Sequence, residues 1–354
     1  MKTYRKMGWL VMLFLLAMTA GTWIVEAESG VGNALKKWQA GVGWGWVWGE
    51  NDEVGSLNEM TNASRMAALQ SVSTGTVYDL GILYDRNSFK WPGHSPGEIM
   101  AFRTPEGTKR QADTDFVPID GLGTSWHSCA LFMNDNVATQ IDSLGHATMS
   151  DDNHWYNGYR EEDWGGDWGP RKCDASTIPP VIARGVMIDV ASYVGKEVLP
   201  ANYAITVDDL QGALKQQGTV LRPGDVVLVR TGTLKFWDET GADHELIGEH
   251  DSAGITLESA KWLVEQQGAM MVGSDTSGLE WKPSAEEQEA YAAKYKSFMP
   301  VHTYLLIEQG VHIAEFHYLE ELAEQKIFDF CYICTTAKIK GTTAGFALRP
   351  IAVQ

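Results

Sequence analysis

From residue 185 onward, short unbroken apolar runs alternate with longer stretches in which apolar positions recur every three or four residues. Gly185–Val190 and Asp225–Arg230 have the length and branched side chains of buried strands. Between them, Thr206-x-x-Asp209 has the form of a capping box and opens a helix that runs to Gly218. Thr256 is placed to cap a second amphipathic helix, Leu257–Gln267, which Gly268 stops before the apolar strand Ala269–Gly273. Ser284–Tyr295 is polar and rich in Ala and Glu, so it reads as an exposed helical arm, and Leu319–Glu324 as another short helix. Upstream, Thr61 is positioned to cap a helix that continues to Leu69. Strand and helix signals in alternation predict an α/β architecture, and no internal repeat or low-complexity linker divides it.

The first residues carry a different pattern. Lys2, Arg5 and Lys6 precede an apolar run from Trp9 to Val25, and Val25-Glu26-Ala27 fits the small-x-small cleavage rule. We therefore expect residues 1–27 to be a secretory signal peptide, and residues 28–354 to form one exported domain with no stable membrane anchor. Export would place Cys129, Cys173, Cys331 and Cys334 where disulfides persist. Cys331-x-x-Cys334 lies in an apolar, β-prone run from Ile327 to Thr335, where the two side chains face opposite ways, so core or structural thiols are expected. Trp38, Trp44, Trp46 and Trp48 stand among glycines and suit either the wall of a concave surface or a packed N-terminal arm.

Composition narrows the partners. At 354 residues and 44% hydrophobic, the chain can bury a large core, which argues against disorder. Its formal charge of −18 repels phosphate backbones and anionic lipid, so a small-molecule substrate is expected rather than nucleic acid. No Gly-x-Ser-x-Gly elbow supports a serine hydrolase, and no Gly-x-Gly-x-x-Gly supports a dinucleotide site.

The chemistry concentrates in two segments. In Asn136-Val-Ala-Thr-Gln-Ile-Asp-Ser-Leu-Gly-His146, an extended backbone would put Asn136, Ala138, Gln140 and Asp142 on one face, and the Leu144-Gly145 turn would bring His146 back toward them. Asp142 as a turn cap and His146 as a surface histidine is the plainer alternative. Near the far end, Pro300-Val-His302 and Glu315 offer imidazole and carboxylate ligands suited to zinc or manganese. His312 and His317 cannot both share the face of Glu315 in a strand, and they read as outer or surface residues.

These motifs resemble the cyclase superfamily that includes bacterial kynurenine formamidase (an arylformamidase), isatin hydrolase and a dienelactone hydrolase. Its hallmark, His-x-Gly-Thr-His-x-Asp-x-Pro-x-His, is matched in length and at Thr139, Asp142 and His146. Further matches are Asp52-Glu-Val-Gly-Ser-Leu-Asn58, Tyr156-Asn-Gly158, Arg184-Gly-Val-Met-Ile-Asp189, Arg222-Pro-Gly-Asp225, Val272-Gly-Ser-Asp275 and Arg349-Pro-Ile351. The resemblance implies a swivelling β/β/α fold with a mixed sheet and a divalent cation, Mn²⁺ or Zn²⁺. It also implies ligands Asp142, His302 and Glu315, His146 as acid/base, and a homo-oligomer.

Asn136 and Gln140 stand where the hallmark has its two inner histidines, which removes two imidazoles and leaves Gln140 as an oxygen ligand. An oxygen-rich shell shifts the expected ion toward manganese. Trp48, Asn136 and Tyr156 are the candidate substrate contacts. The expected activity is hydrolysis of an amide, lactam or ester; the rival is an exported, noncatalytic small-molecule binder whose metal site has eroded.

Overall fold

The computed structural model describes residues 48–90, 93–94, 97–110, 125–238 and 241–354. The expected signal peptide and Trp38, Trp44 and Trp46 lie outside the described residues. Among the described residues, no helix is long and apolar enough to cross a membrane.

A nine-stranded mixed sheet organises the chain. In chain order its strands are β1 (Val77–Asp79), β2 (Gln140–Asp142), β3 (Val181–Asp189), β4 (Val226–Arg230), β5 (Met271–Ser274), β6 (His312–Glu315), β7 (Asp329–Cys334), β8 (Ala344–Gly345) and β9 (Ile351–Val353). Their spatial order is β1-β9-β7-β3-β4-β5-β6-β2-β8. The four central strands, β3 to β6, run parallel, and antiparallel strands flank them on both sides. Because β1 pairs with β9, Val77 sits opposite Val353 and the first and last strands of the sheet close one edge together.

Central parallel strands are buried on both faces, which is why they read as unbroken apolar runs. Val186, Ile188, Val227, Val229, Val272 and Ile313 turn to one core with Leu210, Leu214, Leu263 and Leu305 from the helices. Met187, Val226, Leu228, Met271 and Ala314 turn to the other with Leu319, Phe330 and Tyr332. The helix starts follow the capping chemistry read from the sequence. Thr61 and Thr206 both close capping boxes, and Thr256 accepts from Ser259 N. Past Lys261 the second amphipathic helix widens into a π-helical turn, Trp262–Gln266, before Gly268.

Several matched motifs serve the scaffold. Asp225 accepts from Arg222 N and from Arg184 Nη1, each at 2.7 Å, so two motifs far apart in sequence lock one strand end. Asp189 and Glu320 both pair with the buried Arg230 at 2.8 Å. Asp52 accepts from Gly55 N at 2.9 Å and from the Tyr156 hydroxyl at 2.6 Å, and Asn157 donates to Glu50 O and Asp52 O. Gly55 takes φ +65, and a Cβ there would come 2.1 Å from Gly310 O, so only glycine fits where this loop crosses. Cys129, Cys173, Cys331 and Cys334 are all free thiols; Cys331 and Cys334 are buried as core residues.

Candidate functional site

Strand β2 pairs antiparallel with β6 so that Gln140 lies opposite Glu315 and Asp142 opposite Ile313. Directly opposed residues share a face, and residues two apart along a strand do too, so Gln140, Asp142 and Glu315 project to the same side. The short loop Ser143-Leu144-Gly145 then turns, with His146 N donating to Ser143 O, and returns His146 toward Asp142. His302 arrives from a separate element. Pro300 begins a single helical turn that passes at Thr303 into a π-helix running to Gln309, and His302 occupies the junction.

These placements converge. His302 Nε2 lies 3.5 Å from Glu315 Oε1 and 3.8 Å from Asp142 Oδ2, and His146 Nε2 lies 3.9 Å from that same Asp142 oxygen. One ligand atom from each of Asp142, His146 and His302 falls within a 4.8 Å set, the spacing of groups that share a cation. Asp142, Gln140, Glu315 and His302 are buried, and His146 keeps about a fifth of its side chain exposed. His146 is thus the member that solvent or a substrate reaches.

Gln140 Nε2 donates to Glu315 Oε2 at 2.6 Å, and Asn136 Nδ2 to Asp142 Oδ1 at 3.1 Å. Asn136 does converge with Gln140 and Asp142, although not by strand alternation. The strand begins only at Gln140, and Ala138 takes a left-handed φ of 57°, so a bend carries Asn136 inward. Thr139 is structural: its hydroxyl accepts from Ile82 N and donates to Phe316 O.

The electrostatics are those of negative charge packed without enough compensation. Burial and the facing Glu315 carboxylate push Asp142 up to about 7. Burial likewise raises Glu315, against the pull of His302. For His302, burial alone would lower the imidazole, but its contacts with Glu280 and Glu315 prevail and raise it to about 10. Burial lowers His146 despite the attraction of Asp142.

A divalent cation fits these residues. Asp142 Oδ2, Glu315 Oε1 and Gln140 Oε1 are buried acceptors with no hydrogen-bond partner among the described residues, a costly arrangement unless a positive centre satisfies them. Two of the three face His302 Nε2 at the distances given above.

Glu280 is a residue the sequence reading missed. Its carboxylate lies 2.6 Å from His302 Nδ1 and also accepts from Val301 N and His302 N. No spacing relative to His302 announces it, because the contact spans 22 positions across a loop. Other placements differ from the expectations. His312 and His317 are wholly buried rather than superficial: His312 Nδ1 bonds Asp142 O, and His317 bonds Glu315 O and the Tyr332 hydroxyl. Tyr156 is wholly buried with its hydroxyl on Asp52, which leaves it no surface for a substrate. Trp48 lines a cavity of about 820 Å³ with Met270 and Val311, at the N-terminal ends of β5 and β6, whereas Glu315 closes the C-terminal end of β6.

Comparison with known proteins fits this geometry. The Cyclase family model matches residues 78–281. A crystal structure described as a novel cyclase superposes with a TM-score of 0.73 at 27% identity, covering 88% of this chain and 100% of the other. Isatin hydrolase A from Ralstonia solanacearum gives a TM-score of 0.53 at 19% identity, over 83% of this chain and 98% of its own. Isatin hydrolase A from Labrenzia aggregata gives 0.51 at 18%, over 84% and 100%. No curated protein sequence matches this chain.

Proposed function

Because the chain belongs to the Cyclase family, we propose that it is a metal-dependent hydrolase that cleaves an amide, lactam or ester bond in a small cyclic or aromatic substrate. The observation that carries this reading is the pair of buried oxygens Asp142 Oδ2 and Glu315 Oε1, which accept no hydrogen bond among the described residues, around His302 Nε2. Asp142, Glu315 and His302 would hold the cation, with Gln140 Oε1 as the fourth donor. A ligand set with more oxygen than nitrogen favours manganese over zinc. When bound, the ion supplies Lewis-acid polarisation of a carbonyl and acidifies water near neutral pH.

The chain's own residues do the rest. Burial keeps His146 neutral near pH 7, so its imidazole can take a proton from the attacking water. The same nitrogen then delivers that proton to the departing nitrogen or oxygen, which leaves the carboxylate and the amine or alcohol as products. Thr343 Oγ1, 3.5 Å from His146 Nδ1, steadies the ring from behind. Asn136 and Gln140 hold the two carboxylates by their amide hydrogens, which keeps the free oxygens aimed at the ion.

Likeness to isatin hydrolases supports a planar lactam as the first substrate to try, and the N-terminal Lys2–Ala27 pattern supports action outside the cytoplasm. A homo-oligomer belongs to the same reading. The test is a hydrolysis screen over aryl formamides, lactams and lactones, with Mn²⁺ and Zn²⁺ added separately and a chelator control. Turnover that needs the ion supports the reading. Retention of an unchanged ligand under every condition would instead favour a noncatalytic binder.

A further inference from the structure

We propose that Asn136 and Gln140 restrict this site to a single divalent cation by occupying the inner oxygen of each carboxylate with an amide N–H. The proposal rests on the metal-dependent reading above and goes on to fix the stoichiometry and the residues that set it.

Each carboxylate of the pair is divided into a spoken-for oxygen and a free one. Asp142 Oδ1 accepts from Asn136 Nδ2 at 3.1 Å, and Gln140 Nε2 reaches the same oxygen at 3.5 Å. Glu315 Oε2 accepts from Gln140 Nε2 at 2.6 Å. The opposite oxygens, Asp142 Oδ2 and Glu315 Oε1, accept no hydrogen bond among the described residues and lie toward His302 Nε2. Gln140 turns its amide nitrogen to Glu315, because its oxygen there would set two acceptors 2.6 Å apart.

A carboxylate ties together two dications roughly 3.5–4 Å apart most firmly when it gives one oxygen to each. Neither carboxylate can do that here. The inner oxygens meet amide hydrogens, whose partial positive charge repels a cation as it attracts the carboxylate. Charge count agrees: once the ion has replaced the proton on His302 Nε2, two carboxylates and a neutral imidazole balance one dication, and Glu280 is already engaged with His302 Nδ1. Both fencing amides belong to buried residues, so solvent does not readily displace them.

The test is metal binding by the whole purified chain, stripped by chelator and titrated with Mn²⁺ alone. Calorimetry and elemental analysis read the stoichiometry, and electron paramagnetic resonance distinguishes an isolated ion from an exchange-coupled pair. One equivalent with an uncoupled six-line spectrum is expected. Two equivalents with a coupled spectrum would overturn the proposal while leaving the metal-dependent reading intact; no binding would remove both. The near-isosteric double variant Asn136→Asp/Gln140→Glu replaces each N–H donor with a carboxylate oxygen and should take up a second equivalent. A folded variant that still binds one equivalent would show that the amides are not the limit. Should that variant fail to fold, the stoichiometry and spectrum of the unaltered chain still decide the matter.

Discussion

Glu280 Oε1 lies 2.6 Å from His302 Nδ1, and the same carboxylate accepts the backbone N–H of Val301 and of His302. One side chain therefore fixes both the ring and the helical turn that carries it. With the Nδ1 proton held by a carboxylate, Nε2 is the nitrogen that gives up its proton to a cation, and it faces Asp142 and Glu315. Carboxylates behind metal-binding histidines orient the ring and raise its basicity.

Removing that charge should weaken the ion. Glu280→Gln keeps the shape and the oxygen that serves His302 but gives up the bond from Val301 N, and the expected loss is about 10- to 100-fold in cation affinity, measured by competition with a chelating dye. A variant that binds as tightly as the parent would show that His302 needs no such support.

Proton and cation compete for the same atoms, which gives a pH dependence of known sign. In the metal-free protein Asp142 is raised to about 7 from an ordinary 3.8. The stability of its protonated form is fully present below the unfolded value and is lost as pH rises through about 7. A bound ion restores what is lost, so the rise in melting temperature on adding Mn²⁺ should be larger at pH 8 than at pH 6. An equal rise at both pH values would contradict the placement of Asp142 in the shell.

Much of this was legible in the sequence because it depends on local rules. Capping by Thr61, Thr206 and Thr256 needs only a neighbouring N–H, and the central strands need only an apolar run. Gln140 and Asp142 share a face because they are two apart in a strand. What escaped depends on distant partners. His312 and His317 can be buried because the carbonyls of Asp142 and Val54 and the hydroxyl of Tyr332 satisfy their rings, and those partners come from other elements. Asn136 reaches the site through the left-handed Ala138, a backbone state no side-chain pattern announces. Glu280 sits in a loop whose only link to His302 is tertiary.

Tyr156 offers a way to separate scaffold from site. Its hydroxyl bonds Asp52 Oδ2, the same oxygen that receives Gly55 N, and the ring packs against Gly310. Burial, then the adjacent Asp52 charge, raises the phenol far above its ordinary range, so it donates and never ionises. Tyr156→Phe should cost about 1.5–3 kcal/mol of stability, the scale of a bond to a charged acceptor, read by denaturant unfolding. Cation affinity and the Michaelis constant should stay unchanged; a raised Michaelis constant at unaltered kcat would return Tyr156 to the substrate surface.

His146 carries the sharpest prediction, since its imidazole is the most exposed member of the cluster and meets a long contact to Thr343 and the charge of Asp142. His146→Ala should lower kcat on the order of 100-fold or more, the usual worth of a positioned acid/base, while the cation remains bound through Asp142, Glu315 and His302. Burial holds this ring below the ordinary imidazole value. The neutral, proton-accepting form therefore persists to lower pH than a free histidine allows, and the rise of kcat with pH should be complete before neutrality. In the alanine variant that rise should vanish, and added imidazole, entering the space left open to solvent, should restore part of the rate. Loss of the bound ion together with the rate would instead make His146 a ligand, because an acid/base can be deleted without emptying the site it serves.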